Sequence, residues 1–233
     1  MDPVLAEGLR CLGAENTLPG ALLNDRLEGL LNKYIQEIEL FNPAYGLVGT
    51  GDRRELVVRH ILDSLAPLGL IRGLLEGPPE AVLADVGSGA GLPGIPLAIA
   101  LPERPVTLIE RKGRRAAFLR NTQAVLALPN VTVEEGPMEQ APPGRFRALV
   151  FRAFRPLDRA VLRALFRLLE PGGVLAAYKG RRAAVEAELG GLTDASWEAL
   201  PVPVPFLEEE RHLVVIRPRP GQEREGEGSG SAL

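Results

Sequence analysis

The stretch Asp85-Val86-Gly87-Ser88-Gly89-Ala90-Gly91 lies between two apolar runs, residues 81–86 before it and 95–101 after it. The first run has the length of a buried strand, and the second reads as a helix. Pro93 and Pro96 suit a helix start, where a missing N–H costs little. Between the runs, glycines let the backbone turn sharply and approach a ligand with no Cβ in the way. The next apolar run, 106–109, ends on Glu110. In a parallel sheet the first two strand ends lie side by side. Glu110 is then placed to accept hydrogen bonds from both hydroxyls of a bound ribose. This succession reads as an S-adenosylmethionine loop, with Asp85, Gly87, Gly89, Gly91 and Glu110 as cofactor contacts.

Gly89-x-Gly91-x-x-Gly94 also satisfies the dinucleotide fingerprint. Two features weigh against that reading. The spacing starts two residues late, because the chain has already turned at Gly87. Asp85, just before the loop, would repel a pyrophosphate, whereas the ammonium of S-adenosylmethionine tolerates a nearby carboxylate. A nicotinamide enzyme remains the minor alternative.

The 233 residues are 45% hydrophobic, enough for one large domain or a domain with an extension. No apolar run approaches the roughly 18–20 residues that span a bilayer. The start, Met1-Asp2-Pro3, lacks the basic and apolar regions of a signal peptide. Cys11 is the only cysteine, which excludes an intrachain disulfide and fits a reducing cytoplasm. One Cys with two His, His60 and His212, argues against a zinc site, so no metal is expected. The net charge of −3 hides an asymmetry: −7 over residues 1–110, +10 over 111–182 and −6 over 183–233. Positive charge concentrated just after the glycine loop points to a polyanionic substrate.

Leu23, Leu27, Leu30, Leu31, Tyr34, Ile38 and Phe41 recur at helical spacing and predict an amphipathic helix over 17–41, capped by Thr17, with Pro19 in its first turn. Asn42-Pro43 is expected to stop it. A second helix is predicted over 55–65, and Gly77-Pro78-Pro79 reads as a linker. From residue 81, strands near 81–86, 105–110, 131–135, 148–152 and 173–178 alternate with helices near 92–101, 112–127, 156–169 and 181–190. Residues 197–204 and 212–217 then read as a hairpin. The predicted fold is α/β: a Rossmann-like, seven-stranded, mostly parallel sheet ending in an antiparallel hairpin, the class I S-adenosylmethionine-dependent methyltransferase plan. An N-terminal helical extension (1–77) precedes the methyltransferase domain (78–217). The Gly- and Glu-rich tail, 218–233, is expected to be disordered.

Several segments carry a closer likeness: Phe41-Asn42 with Ala44-Tyr45, Arg59-His60-Ile61-Leu62-Asp63-Ser64, Gly91-Leu92-Pro93-Gly94-Ile95-Pro96, Arg152-Ala153-Phe154, Lys179-Gly180 and Arg211-His212-Leu213. In these the chain resembles the bacterial small-subunit ribosomal RNA methyltransferase G family, also called glucose-inhibited division protein B. The resemblance spans about residues 40–217. It implies methylation of N7 of one guanine in the 530 loop of 16S rRNA, with 16S rRNA or the small ribosomal subunit as partner; nothing in the sequence demands a dimer, so a monomer is expected. The resemblance implies cofactor contacts from Gly87 and Leu92, and from Met138 and Glu139 beside the adenine. Arg152 is implied beside the reacting methyl, as a positioning group.

The residues themselves narrow the chemistry. Cytosine-C5 methylation needs a thiolate nucleophile, and Cys11 lies far upstream. Exocyclic-amine methylation uses an Asn/Asp-Pro-Pro-Tyr turn where this chain has Phe151-Arg152-Ala153-Phe154. Guanine N7 has an in-plane lone pair and no proton, so it needs geometry rather than a base. RNA contacts are expected from Lys112, Arg114, Arg115, Arg155 and Lys179, with Phe154 stacking on the base. Arg155, Arg159, Arg163 and Arg167 recur every four residues and predict one helical stripe. His60 is expected to be satisfied by a neighbour such as Asp63 or the N-terminal chain, with a substrate role as the lesser alternative. Two rivals stay open: a small-molecule methyltransferase on the same fold, and an RNA-binding assembly factor without catalysis.

Overall fold

The computed structural model describes residues 2–14, 18, 20–78 and 80–219. Thr17, Pro19 and residues 220–233 of the tail lie outside the described residues. Helix α1 (Pro3–Ala14) comes first, then α2 (Asp25–Tyr45). Helix α2 starts later than its apolar spacing predicts because Asn24 is the stronger cap. Its side chain accepts from the Leu27 N–H at 2.9 Å, and Asp25 and Glu28 lie in the first turn. Pro43 does not end α2, contrary to expectation; it sits inside the last turn. There its missing N–H forfeits a single hydrogen bond. The helix stops at Gly46, whose φ of 58° places it in the left-handed region.

Asp52 caps the next helix, α3 (Arg53–Leu56), which widens without a break into a π-helical stretch, Val57–Leu62, and closes as α4 (Asp63–Leu65). After α5 (Leu68–Leu74) the alternation begins: β1 (Leu83–Val86), α6 (Gly94–Ala100), β2 (Val106–Glu110), α7 (Gly113–Leu126), β3 (Val131–Glu135), β4 (Phe146–Arg152), α8 (Arg159–Leu168), β5 (Leu169–Lys179), α9 (Arg182–Leu189), β6 (Ala195–Pro201) and β7 (His212–Pro218). The seven strands form one sheet in the order β3-β2-β1-β4-β5-β7-β6. Only the pairings of β7 with β5 and β6 are antiparallel. This is the class I methyltransferase topology. The strand order reverses between β1 and β4, so ligands belong at the carboxyl ends of those strands.

Period-two alternation sorts the strand side chains onto two faces. Leu83 on β1, Ala148 and Val150 on β4, and Val174, Ala176 and Tyr178 on β5 enter the core shared with α1, α2 and the π-helical stretch. Ala84 and Val86, Leu149 and Phe151, and Leu175 and Ala177 enter the opposite core, with α8 and α9. Asp85 and Arg152 keep the parity of the first set, so both face the N-terminal helices. Among the described residues no helix is long and apolar enough to cross a membrane.

Candidate active site

The glycine loop is tied to the end of the neighbouring strand β2. The N–H groups of Gly87 and Ser88 donate to the Ile109 carbonyl at 2.8 and 3.2 Å. Gly87, Gly89 and Gly91 have φ of 72°, 59° and 90°, where a side chain would strain the backbone. Glu110 is buried at the end of β2. Its two carboxylate oxygens accept from the N–H of Gly89 at 2.9 Å and of Lys112 at 2.8 Å. Lone pairs remain on each oxygen for a ribose.

Asp85 is only 1% exposed. Its Oδ2 accepts from the Gly94 N–H at 2.9 Å, while its buried Oδ1 has no hydrogen-bond partner among the described residues. Burial, above all, pushes its carboxyl up to about 7. An orphaned acidic oxygen is what the ammonium of S-adenosylmethionine would satisfy. Together with the free lone pairs of Glu110, this set of acceptors fits that cofactor.

Arg152 ends β4 and turns beneath the N-terminal helices. Its Nη1 donates to Asp63 Oδ2 at 2.9 Å and to the Arg59 carbonyl at 3.2 Å. Its Nη2 donates to His60 Nδ1 at 3.1 Å. The π-helical stretch makes this set available. Asp63 N–H reaches back to the Val58 and His60 carbonyls, which leaves the Arg59 carbonyl for Arg152. Such bulges recur at functional sites. Asp63 also receives Arg211 Nε on its other oxygen at 3.3 Å. Tyr178, paired with Arg152 across β4 and β5, donates to the Ser64 carbonyl at 2.9 Å. His60 is therefore satisfied by Arg152 rather than by the expected Asp63. Its pKa falls to about 4, through burial first and the Arg152 charge second.

A cavity of about 550 Å³ opens beside this cluster. His60, Arg152, Phe154, Lys179, Arg211 and His212 are among its walls. Ala153 has a φ of 49°, a left-handed turn that sends the chain from Arg152 to Phe154. The Phe154 ring packs against Phe151 at 5.4 Å and lies against the Gly87 face, where a Cβ on that glycine would meet it at 3.0 Å. Phe154 thus joins the cavity to the glycine loop. Lys179 lines the cavity with its ammonium held by both oxygens of Glu188, at 2.8 and 2.9 Å.

The other sequence-derived site residues spread further. Lys112 and Arg114 are exposed at the start of α7, with the Arg114 guanidinium 5.7 Å from the Tyr45 ring centroid. Arg115 donates to the Gly46 carbonyl at 3.1 Å. Leu92 is buried in the core that includes Tyr34 and Ile95. Met138 is buried in the opposite core. Glu139 and Arg155 are paired with each other at 2.5 Å, and that hydrogen bond holds the Glu139 carboxyl below its usual range.

The expected arginine stripe is not one helical face. Arg155 precedes α8, because Asp158 caps that helix by accepting from the Val161 N–H at 2.8 Å. Arg167 donates to the carbonyls of Met138, Glu139 and Ala141, holding the turn after β3. Arg159 is drawn to Asp194 at 3.5 Å.

Sequence reasoning missed the partnership of Arg152 with the π-helical stretch, and the parts of Arg211, Tyr178 and Tyr34. Parity along β4 signals the Arg152 direction; nothing local signals its partners. Tyr34, counted only as a core residue of α2, donates its hydroxyl to the Ala90 carbonyl at 2.7 Å.

A protein of Treponema pallidum named ribosomal RNA small subunit methyltransferase G is 41% identical to this chain over 217 residues, covering 91% of this chain and 92% of that relative. One of the same name from Treponema denticola is 36% identical, covering 91% and 93%. The crystal structure of a tRNA (m1A58) methyltransferase from Aquifex aeolicus superposes with a TM-score of 0.53 at 16% identity, covering 66% of this chain and 68% of that one, and shows the shared fold. Residues 28–214 match the family described as rRNA small subunit methyltransferase G, and to that family this chain belongs.

Proposed function

We propose that this chain transfers the methyl group of S-adenosylmethionine to N7 of one guanine in the 530 loop of 16S rRNA, within the small subunit or a precursor of it. The names of its relatives support methylation of small-subunit ribosomal RNA. One observation carries the finer reading: the cavity beside the glycine loop has cations and an aromatic ring, and among the described residues its carboxylates and the His60 imidazole are engaged, which leaves His212, whose Nδ1 donates to the Gly180 carbonyl at 2.7 Å, as its one imidazole with an uncommitted nitrogen. Asp63 is held by Arg152 and Arg211, Glu55 accepts from Thr50, and His60 accepts from Arg152. A nucleophile that must first lose a proton has only His212 to take it there. Guanine N7 has no proton to lose.

The cofactor supplies a methyl group activated on a sulfonium. The residues of this chain orient and enclose. Glu110 holds the ribose, Asp85 balances the ammonium, and Met138 and Glu139 flank the adenine. Phe154, between the Gly87 loop and the cavity, offers the target base a face to stack on. Lys112, Arg114 and Arg115 give the RNA phosphates a cationic approach. Residues 1–77 act as an extension that walls the cavity of the 78–217 methyltransferase unit, through Arg59, His60 and Asp63.

The test is transfer of labelled methyl to small subunits from cells lacking the endogenous enzyme, followed by borohydride reduction and aniline cleavage. N7-methylguanine makes the chain labile there, so a single cut in the 530 loop is expected. Label without a cut would place the methyl on another atom. No label, with cofactor still bound, would overturn the ribosomal substrate.

A further inference from the structure

On the edge of guanine that carries N7, the neighbouring group is O6, a second acceptor; adenine presents an amino donor there. An enzyme that reaches N7 therefore meets the one atom that separates the two purines on that edge. His60 borders the cavity that Phe154 connects to the Gly87 loop. Its Nδ1 faces Arg152 Nη2 at 3.1 Å. A guanidinium has only donors, so Nδ1 must accept. The ring is then neutral, and its single proton sits on Nε2. Among the described residues Nε2 has no hydrogen-bond partner, and it is not among the buried unpartnered atoms, so it keeps accessible surface on a residue that walls the cavity.

We propose that His60, locked by Arg152 into the tautomer protonated on Nε2, donates to O6 of the target guanine and excludes adenine. The inference rests on the guanine-N7 reading above and adds the residue that selects the base. The opposite tautomer would present an acceptor and favour adenine, so the choice is made by the Arg152 contact. The neutral state matters as well. Positive charge moves onto the purine as N7 takes the methyl, and an imidazolium beside O6 would oppose it. Arg152 disfavours the imidazolium and Arg59 adds to that effect, while Glu55 pulls the other way; burial decides the balance toward the neutral ring. The Arg152 charge itself is offset by Asp63 at 2.9 Å. A bond to O6 does not strengthen as the methyl moves, so His60 is a specificity and orienting residue rather than an acid or base.

The experiment uses small subunits reconstituted with 16S rRNA carrying guanine, 2-aminopurine or adenine at the methylated position. 2-Aminopurine keeps N7 and lacks O6. The wild-type enzyme should methylate guanine about tenfold faster than 2-aminopurine, the scale of one hydrogen bond. His60→Ala should slow guanine to the 2-aminopurine rate without slowing 2-aminopurine further. His60→Gln, which restores an N–H donor, should recover part of the preference. An unchanged guanine to 2-aminopurine ratio in His60→Ala overturns the proposal. Aniline cleavage of the guanine particles separates the two levels: methyl transfer without a cut means the N7 reading fails, and this inference with it. A cut together with a ratio indifferent to His60 sinks the inference alone. Should His60→Ala fail to fold, nitrogen-15 NMR of the wild-type ring decides. A neutral ring protonated on Nε2 near pH 7 is expected; an Nδ1–H tautomer or an imidazolium overturns the proposal.

Discussion

Tyr34, in the middle of α2, donates its hydroxyl to the carbonyl of Ala90, fifty-six residues later and inside the glycine loop, at 2.7 Å. Both groups are buried, so the N-terminal helices hold the cofactor loop by a bond that water cannot replace. Tyr34→Phe removes the donor and strands the carbonyl. The expected loss is about 1–3 kcal/mol of stability, or roughly 2–4 °C in Tm for each kcal/mol in a domain of this size. Cofactor affinity should fall as well. Thermal melts and calorimetric titration with S-adenosylmethionine check both, and a variant indistinguishable from wild type in both would show that the clamp has no weight.

Asp85 gives the fold a pH signature. Its carboxyl is raised from 3.8 to about 7 in the native state. Below 3.8 it is protonated in both states and its contribution is fully present. Between 3.8 and 7 the unfolded chain ionises while the native one keeps its proton, so stability is lost as pH rises through that range. His60 acts in the opposite sense. Its pKa falls from 6.5 to about 4, so stability is lost as pH falls from 6.5 toward 4. The two slopes oppose each other in wild type. Asp85→Asn should uncover the His60 slope, with stability rising more steeply from pH 4 to 6.5 than in wild type. Denaturant unfolding across that range checks it; parallel curves would contradict the assignment.

Asp63 stands between two guanidinium groups, Arg152 at 2.9 Å and Arg211 at 3.3 Å, and its side chain is only 7% exposed. Asp63→Ala leaves the Arg152 charge, itself 16% exposed, without its counter-ion. The expected cost is about 3–5 kcal/mol, read as a lowered denaturant midpoint. A loss below about 1 kcal/mol would mean that water or a shifted side chain replaces the carboxylate.

Arg114 and Arg115 open α7 with their charges at the surface. The double change to Ala should weaken binding to small subunits and flatten its dependence on salt, by roughly 0.7–0.9 in the log–log slope for each phosphate no longer neutralised. Filter binding from low to high salt measures this. An unchanged slope would move the phosphate-binding cations elsewhere on the surface.

Sequence and tertiary structure divided the work by distance along the chain. The glycine turn, the acid ending β2 and the alternation of strands and helices are written within a few residues of one another, and short-range sterics and burial read them out directly. Glu110 meets Gly89 because adjacent parallel strands end together, a rule of topology that needs no side-chain detail. Local signals failed at both ends of α2: the cap at Asn24 opens it later than the apolar spacing predicts, and the αL turn at Gly46, not Pro43, ended that helix. The arginines after residue 150 carried the right periodicity but not the right partners, since Arg167 spends its donors on a turn.

By itself the sequence determined the class I sheet, the cofactor loop and the cationic middle of the chain, because each is encoded by neighbours or by composition. Only the tertiary structure decided what Arg152 does. Its partners Arg59, His60 and Asp63 lie 93, 92 and 89 residues away. A π-helical widening, invisible in side-chain spacing, frees the carbonyl that Arg152 takes. The protonation of His60 is likewise no property of a histidine at position 60. It follows from burial that removes the water which would otherwise let the ring charge, and then from a guanidinium that the sheet's parity turns toward it.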